Sequence, residues 1–201
     1  GRSMNEINEF IKSMQNGPEK FILTDEGDID KFLGVEIVDR GKGEFEMKQP
    51  HLIERIVQAL GLKDNSFECH VNGAKTPANT VLLNRDLEGK PRKKNWNYRQ
   101  LVGMLGYLQA NSRPDISMSV HQCARFSIDP KLSHEQAITR IGRYLRDTHD
   151  RGIIYRPDRK KGLEVFVDAD FAGGWNKNDP HDVDSLYSRA GYVIKYAGCP
   201  I

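Results

Sequence analysis

Residues 95–126 read NWNYRQLVGMLGYLQANSRPDISMSVHQCARF. The spacing predicts a helix over 96–111, because Tyr98, Leu101, Val102, Leu105 and Leu108 recur on one side. Arg99, Gly103 and Tyr107 stand at i, i+4 and i+8 and share another face, with Gly106 and Ala110 beside them. Glycine inside a helix costs roughly 1 kcal/mol against alanine, so Gly103 and Gly106 ask for an explanation. Close packing against a neighbouring helix is one, and close approach of a ligand is the other. Pro114 suits the first turn of the next helix, which Ile116, Val120, Cys123 and Ala124 continue to Phe126.

Working outward, Ser133 with Gln136 forms a capping-box pattern. It opens a helix through Ala137, Ile138, Ile141, Tyr144 and Leu145 that ends near Thr148. Strand patterns follow at 152–161, 163–169 and 187–196, with a Gly-, Asn- and Asp-rich loop at 171–186. Upstream, 51–60 is an amphipathic helix stopped by Gly61, and 62–95 is a long connector with few apolar residues. Residues 5–15 predict another helix, stopped by Asn16-Gly17-Pro18. Phe21-Ile22-Leu23 is strand-like, and 25–28 marks a turn. Residues 31–38 predict one buried strand containing Gly34. The Arg40–Gly43 turn then returns the chain as 44–48.

Charge is unevenly spread. Residues 1–48 carry 7 basic and 11 acidic side chains, 49–161 carry 20 and 11, and 162–201 carry 3 and 6. A basic middle of this kind fits a phosphate backbone, although each cluster alone reads equally as a solvated face. Three cysteines are too few and scattered for a disulfide framework, and the six histidines show no metal spacing. Cys69-His70 lacks further ligands, and no Ser or Cys nucleophile signature is present. No apolar run approaches the roughly 20 residues that span a bilayer, and the first ten residues lack a signal-peptide core. The expectation is a soluble intracellular chain with no membrane partner.

Six segments then stand in a familiar order: FLGVEI (32–37), LVGMLGYL (101–108), SRPDI (112–116), AITRIGRYLRDT (137–148), VDADFAGGW (167–175) and SRAGYV (188–193). The order and gaps resemble the Pol polyprotein of copia-type LTR retrotransposons, where the end of the reverse transcriptase palm leads through the thumb into RNase H. The resemblance spans residues 32–193. It also marks what this chain does not carry, namely the Tyr-x-Asp-Asp polymerase hairpin and all but the first of the RNase H acidic residues.

The resemblance implies an α+β chain in three parts. Residues 1–48 would end the palm with the primer-grip hairpin, 49–150 would be a mostly helical thumb, and 151–201 would begin an RNase H fold. Leu33 and Gly34 would contact the primer, where a Cβ at 34 would keep the backbone away. Arg99, Gly103 and Tyr107 would lie along the minor groove of an RNA/DNA hybrid, read by shape. Arg140, Arg143 and Arg146, three residues apart, would face solvent or phosphate.

Asp168 would be the catalytic metal ligand of a complete RNase H domain, joined by Asp170 if the strand continues. The cofactor would be Mg2+, as an ion pair that activates water and stabilises the leaving oxygen. One carboxylate makes no Mg2+ site, so no cleavage is expected from this chain alone, and enzyme status stays open. The parent activity would be RNA-directed DNA synthesis with RNA-strand hydrolysis, during retrotransposition. The partners would be the primer–template duplex and the rest of Pol, in cytoplasmic virus-like particles and the nucleus. A domesticated or decayed nucleic-acid-binding protein without catalysis is the alternative. A structural or protein-interaction module with merely solvated basic clusters is the third reading.

Overall fold

The computed structural model describes residues 4–19, 21–23, 30–62, 73–79, 82–171 and 188–201. The chain divides into two units, Gly1–Asp30 and Lys31–Ile201. Among the described residues, no helix is long and apolar enough to cross a membrane.

In the first unit, α1 spans Met4–Gln15. The Asn16 backbone and side-chain amides both donate to the Lys12 carbonyl at 3.0 Å, closing the helix where its sequence predicts. Phe21, Ile22 and Leu23 do not form the expected strand. Instead the Phe21 amide donates back to the Met14 carbonyl at 3.3 Å. The turn expected at 25–28 lies outside the described residues.

The second unit opens with an antiparallel sheet. Its strands are β1 (Lys31–Phe32), β2 (Val35–Gly41), β3 (Glu44–Lys48) and β4 (Ile153–Tyr155), in that spatial order. The single strand expected over 31–38 is therefore corrected to two. Leu33 and Gly34 both take positive φ, 50° and 78°. That pair of left-handed residues makes a tight two-residue turn and sets Phe32 opposite Val35. β4 had been grouped with the C-terminal strands, but it pairs with β3. The Phe45 and Tyr155 rings stack at 4.7 Å across that pairing.

The helices are α2 (Pro50–Ala59), α3 (Tyr98–Asn111), α4 (Ser117–Ala124) and α5 (Leu132–Asp147). Gly61, with φ 70°, follows α2 as its sequence predicts. The Asn97 side chain caps α3 by accepting from the Gln100 amide at 3.1 Å. Pro114 opens a short 3-10 turn, Pro114–Ile116, that runs into α4. The capping box expected of Ser133 falls instead to its neighbour. The Lys131 amide donates to His134 Nδ1 at 2.9 Å, while the Ser133 hydroxyl donates to Asp86.

Ile53 and Ile56 of α2 and Leu60 just past it meet Leu101, Leu105 and Leu108 of α3 and Ile138, Ile141 and Leu145 of α5 in one core. Each such side chain stabilises the fold by roughly 1.5–3 kcal/mol when fully buried. Gly142 lets α2 and α5 approach, since a Cβ there would collide with the Leu60 and Leu62 methyl groups.

Among the described residues of 62–95 there is no helix or strand beyond a single bridge, Pro91 to Lys131. Cys69 and His70 lie outside the described residues. The chain ends in a second antiparallel sheet, β5 (Leu163–Asp170), β6 (Arg189–Tyr196) and β7 (Cys199–Pro200). The loop expected at 171–186 lies beyond the described residues from 172 on, as do Tyr187 and His181. Val165, Phe166 and Val167 are consecutive on β5 and all exposed, so exposed apolar side chains stand on both faces of this strand.

Candidate nucleic-acid interface

The β1–β2 turn presents an apolar tip. Leu33 is 73% exposed and its neighbour Phe32 is also exposed. A leucine with φ 50° is uncommon, because its Cβ crowds the following peptide. Strain of this kind persists where surrounding contacts hold it and often marks function. Gly34 occupies the second left-handed position of the turn rather than a point inside a strand, and a Cβ there would meet nothing within 4 Å. Its expected place inside a strand is replaced by turn chemistry.

Helix α3 comes to this tip. The Tyr107 hydroxyl donates to the Leu33 carbonyl at 2.7 Å, across 74 residues of sequence. Arg99, Gly103 and Tyr107 all lie on the exposed face of α3. A Cβ on Gly103 or on Gly106 would meet nothing within 4 Å. Close packing against the described residues therefore does not explain either glycine. Arg99 is partly committed, since its Nε donates to the Ser127 carbonyl at 3.0 Å just past α4.

The three arginines of α5 have different surroundings. Arg140 braces the connector, donating to the Thr76 carbonyl at 3.2 Å and its hydroxyl at 3.0 Å. Arg143 lines a groove of about 740 Å³ with Lys93, Lys94 and Arg140. Arg146 is only 16% exposed through its side chain and pairs with Asp147 at 2.9 Å. Three-residue spacing drifts about 60° per step around a helix, which separates them. Arg92, in the first basic cluster, is also used internally. It stacks 4.3 Å over Trp96 and lies 3.5 Å from Glu135. The buried Glu135 carboxylate accepts from the Lys93 and Lys94 amides at 3.1 and 2.8 Å.

Strand β5 continues through Asp170, so Asp168 and Asp170 share a face of the sheet. Both line a cleft of about 610 Å³, with Ser117 and His121 of α4 and Ser188 and Gly191 opposite. Two carboxylates supply part of the oxygen set that Mg2+ requires. Among the described residues, no group of three His, Cys, Asp or Glu is arranged to hold a metal ion.

Sequence reasoning missed the most connected polar cluster. Arg113 is 2% exposed. Its guanidinium donates to both Asp115 oxygens at 2.9 and 2.8 Å, and to the Thr148 carbonyl and hydroxyl at 2.9 and 2.8 Å. Tyr144 donates to the same carboxylate at 2.7 Å. Burial pushes the Asp115 carboxyl up, but hydrogen bonds from Arg113 and Tyr144 and the Arg113 charge hold it below its ordinary value. Burial, followed by the Asp115 carboxylate, raises the Tyr144 hydroxyl. The cluster pins the corner before α4 to the end of α5. Its signal was the SRPDI segment itself, a cation and an anion two residues apart beside a predicted helix start.

No protein-family model and no solved structure matches the chain. Curated relatives do. The chain is 30% identical over 94% of its length to the retrovirus-related Pol polyprotein from transposon RE1 of Arabidopsis thaliana. It is 26% identical over 90% of its length to the corresponding polyprotein from transposon TNT 1-94 of Nicotiana tabacum. It spans 12% and 13% of those two polyproteins. A shorter similarity, 35% over 52% of this chain and 68% of the relative, is to the secreted RxLR effector protein 161 of Plasmopara viticola. With matches to transposon polyproteins running along nearly all of this chain, the chain is similar to one segment of copia-type retrotransposon Pol polyproteins.

Proposed function

We propose that this chain grips and tracks the RNA/DNA primer–template duplex within a retrotransposon reverse transcriptase and RNase H. In this reading 1–48 closes the palm, 49–150 is the thumb and 151–201 begins RNase H. Strand 153–155 then returns to the palm-side sheet. The observation that carries the reading is the exposed stripe Arg99, Gly103 and Tyr107 of α3, whose glycine packs against none of the described residues. A helix face opened at its middle by the missing Cβ of Gly103 suits the wide, shallow minor groove of an A-form-like hybrid. The β1–β2 tip, with its exposed Leu33, would lie at the primer's 3′ end.

Asp168 and Asp170 would contribute to a Mg2+ site completed elsewhere in the polyprotein. There the ions would activate water for RNA-strand hydrolysis. The rest of Pol would be the protein partner, in cytoplasmic particles and the nucleus. A non-catalytic nucleic-acid-binding role is the second reading.

Fluorescence anisotropy with a labelled RNA/DNA hybrid tests the grip. Binding should weaken steeply with salt, as phosphate neutralisation requires. Arg99→Ala and Gly103→Leu should each reduce affinity while leaving the circular dichroism spectrum unchanged. Unchanged affinity in both variants would sink the minor-groove reading, and salt-independent binding would favour a protein-interaction module.

A further inference from the structure

The hydrogen bond between Tyr107 and Leu33 joins the two elements that the proposed function assigns to the duplex. We propose that Tyr107 is a positioning residue: its hydroxyl latches the β1–β2 turn to α3, so that tip and helix stripe present one surface. The inference deepens the duplex-gripping reading and rests on it.

Several observations converge on the latch. The donor and acceptor are 2.7 Å apart and 74 residues separated in sequence. The acceptor carbonyl belongs to the strained residue of the turn, Leu33 at φ 50°. A tight turn with two left-handed residues projects its tip stiffly, and an external hydrogen bond selects one orientation for it. Tyr107 lies one helical turn beyond Gly103 and two beyond Arg99, at the end of the exposed stripe. The helix glycines therefore lead directly to the turn.

The bond also decides how Tyr107 meets a ligand. Its hydroxyl proton is committed to Leu33, yet the residue remains 44% exposed. It therefore offers a ring surface to sugar edges rather than a hydroxyl donor. That is contact by shape, the mode suited to a minor groove. Because the bond lies at the surface, it is weak enough to break and reform as a duplex enters.

The test compares Tyr107→Phe with Tyr107→Ala in the full chain. Amide hydrogen exchange across residues 31–36 is measured first, without nucleic acid. Losing one exposed hydrogen bond should speed exchange there by about two- to tenfold in both variants, with the α3 core unaffected. Unchanged exchange in Tyr107→Phe overturns the latch. Affinities are then measured for a hybrid with a recessed 3′ end and for a blunt hybrid. Only the recessed end should reach the turn, so Tyr107→Phe should lower the recessed-to-blunt affinity ratio. Tyr107→Ala, which also loses the ring, should weaken both. An equal loss on both hybrids in Tyr107→Phe would make the hydroxyl a direct duplex contact and reject positioning. Should the wild-type chain bind neither hybrid, the duplex reading fails, while the exchange measurement still reports on the latch.

Discussion

Replacing Arg113 by methionine keeps most of its volume and removes the four side-chain hydrogen bonds that its guanidinium makes. Arg113 holds the Asp115 carboxylate in a two-pronged pair and satisfies the Thr148 carbonyl and hydroxyl, all at 2.8–2.9 Å. Removing one partner of a buried charge pair costs about 3–5 kcal/mol, mostly through the groups left behind. Here the Asp115 side chain is 39% exposed, so water recovers part of that loss. The expected cost is therefore at the lower end, about 3 kcal/mol. Read by urea denaturation with a slope of about 2 kcal/mol/M, the midpoint should fall by about 1.5 M. The cost should also depend on pH. Asp115 is depressed below its ordinary 3.8 in the folded chain. Its stabilisation is therefore complete above that ordinary value and disappears as pH falls through the folded value. The gap between wild type and Arg113→Met should stay constant near neutrality and narrow below about pH 4. Arg113→Met combined with Asp115→Asn should cost less than the sum of the single changes. A midpoint shift under about 0.4 M with an unchanged slope, or a gap that does not narrow in acid, would refute the reasoning.

The glycines supply an opposed pair of outcomes. Gly106→Ala meets open space and should stabilise the chain by about 1 kcal/mol. Gly142→Ala drives a methyl into Leu60 and Leu62 and should destabilise it by about 1–3 kcal/mol, both read from thermal melts. Burial pushes the Cys123 thiol up to about 12. Mass mapping after iodoacetamide treatment at pH 8 should leave the Cys123 peptide unmodified in the folded chain and fully alkylated in urea, because only the exposed thiol forms thiolate freely.

Much of the helical part was legible because it rests on local periodicity. The stripe from Leu101 to Leu108 and the one from Ile138 to Leu145 are the residues that meet in the core. The turn at Leu33-Gly34 was not legible. One glycine in an apolar run fits a strand as well as a turn, and only the observed φ values separate them. The arginines of α5 were read as one outward set, yet their partners Thr76 and Asp147 could not be seen from spacing. Arg113 was passed over because a cation beside a proline looks like a surface corner until Thr148 and Tyr144 arrive from 29 to 35 residues away.

From the sequence came which segments are helical, which faces are apolar, where positive charge collects, and the resemblance to transposon polyproteins. Those properties depend on neighbours within a few residues, or on the order of motifs along the chain. Tertiary structure alone decided that β4 joins β3 and that Tyr107 reaches Leu33. It also decided that Gly103 and Gly106 face open space while Gly142 is wedged. Each of those outcomes turns on whether groups distant in sequence come together, and a backbone hydrogen bond or a methyl contact has no local periodicity that announces its partner.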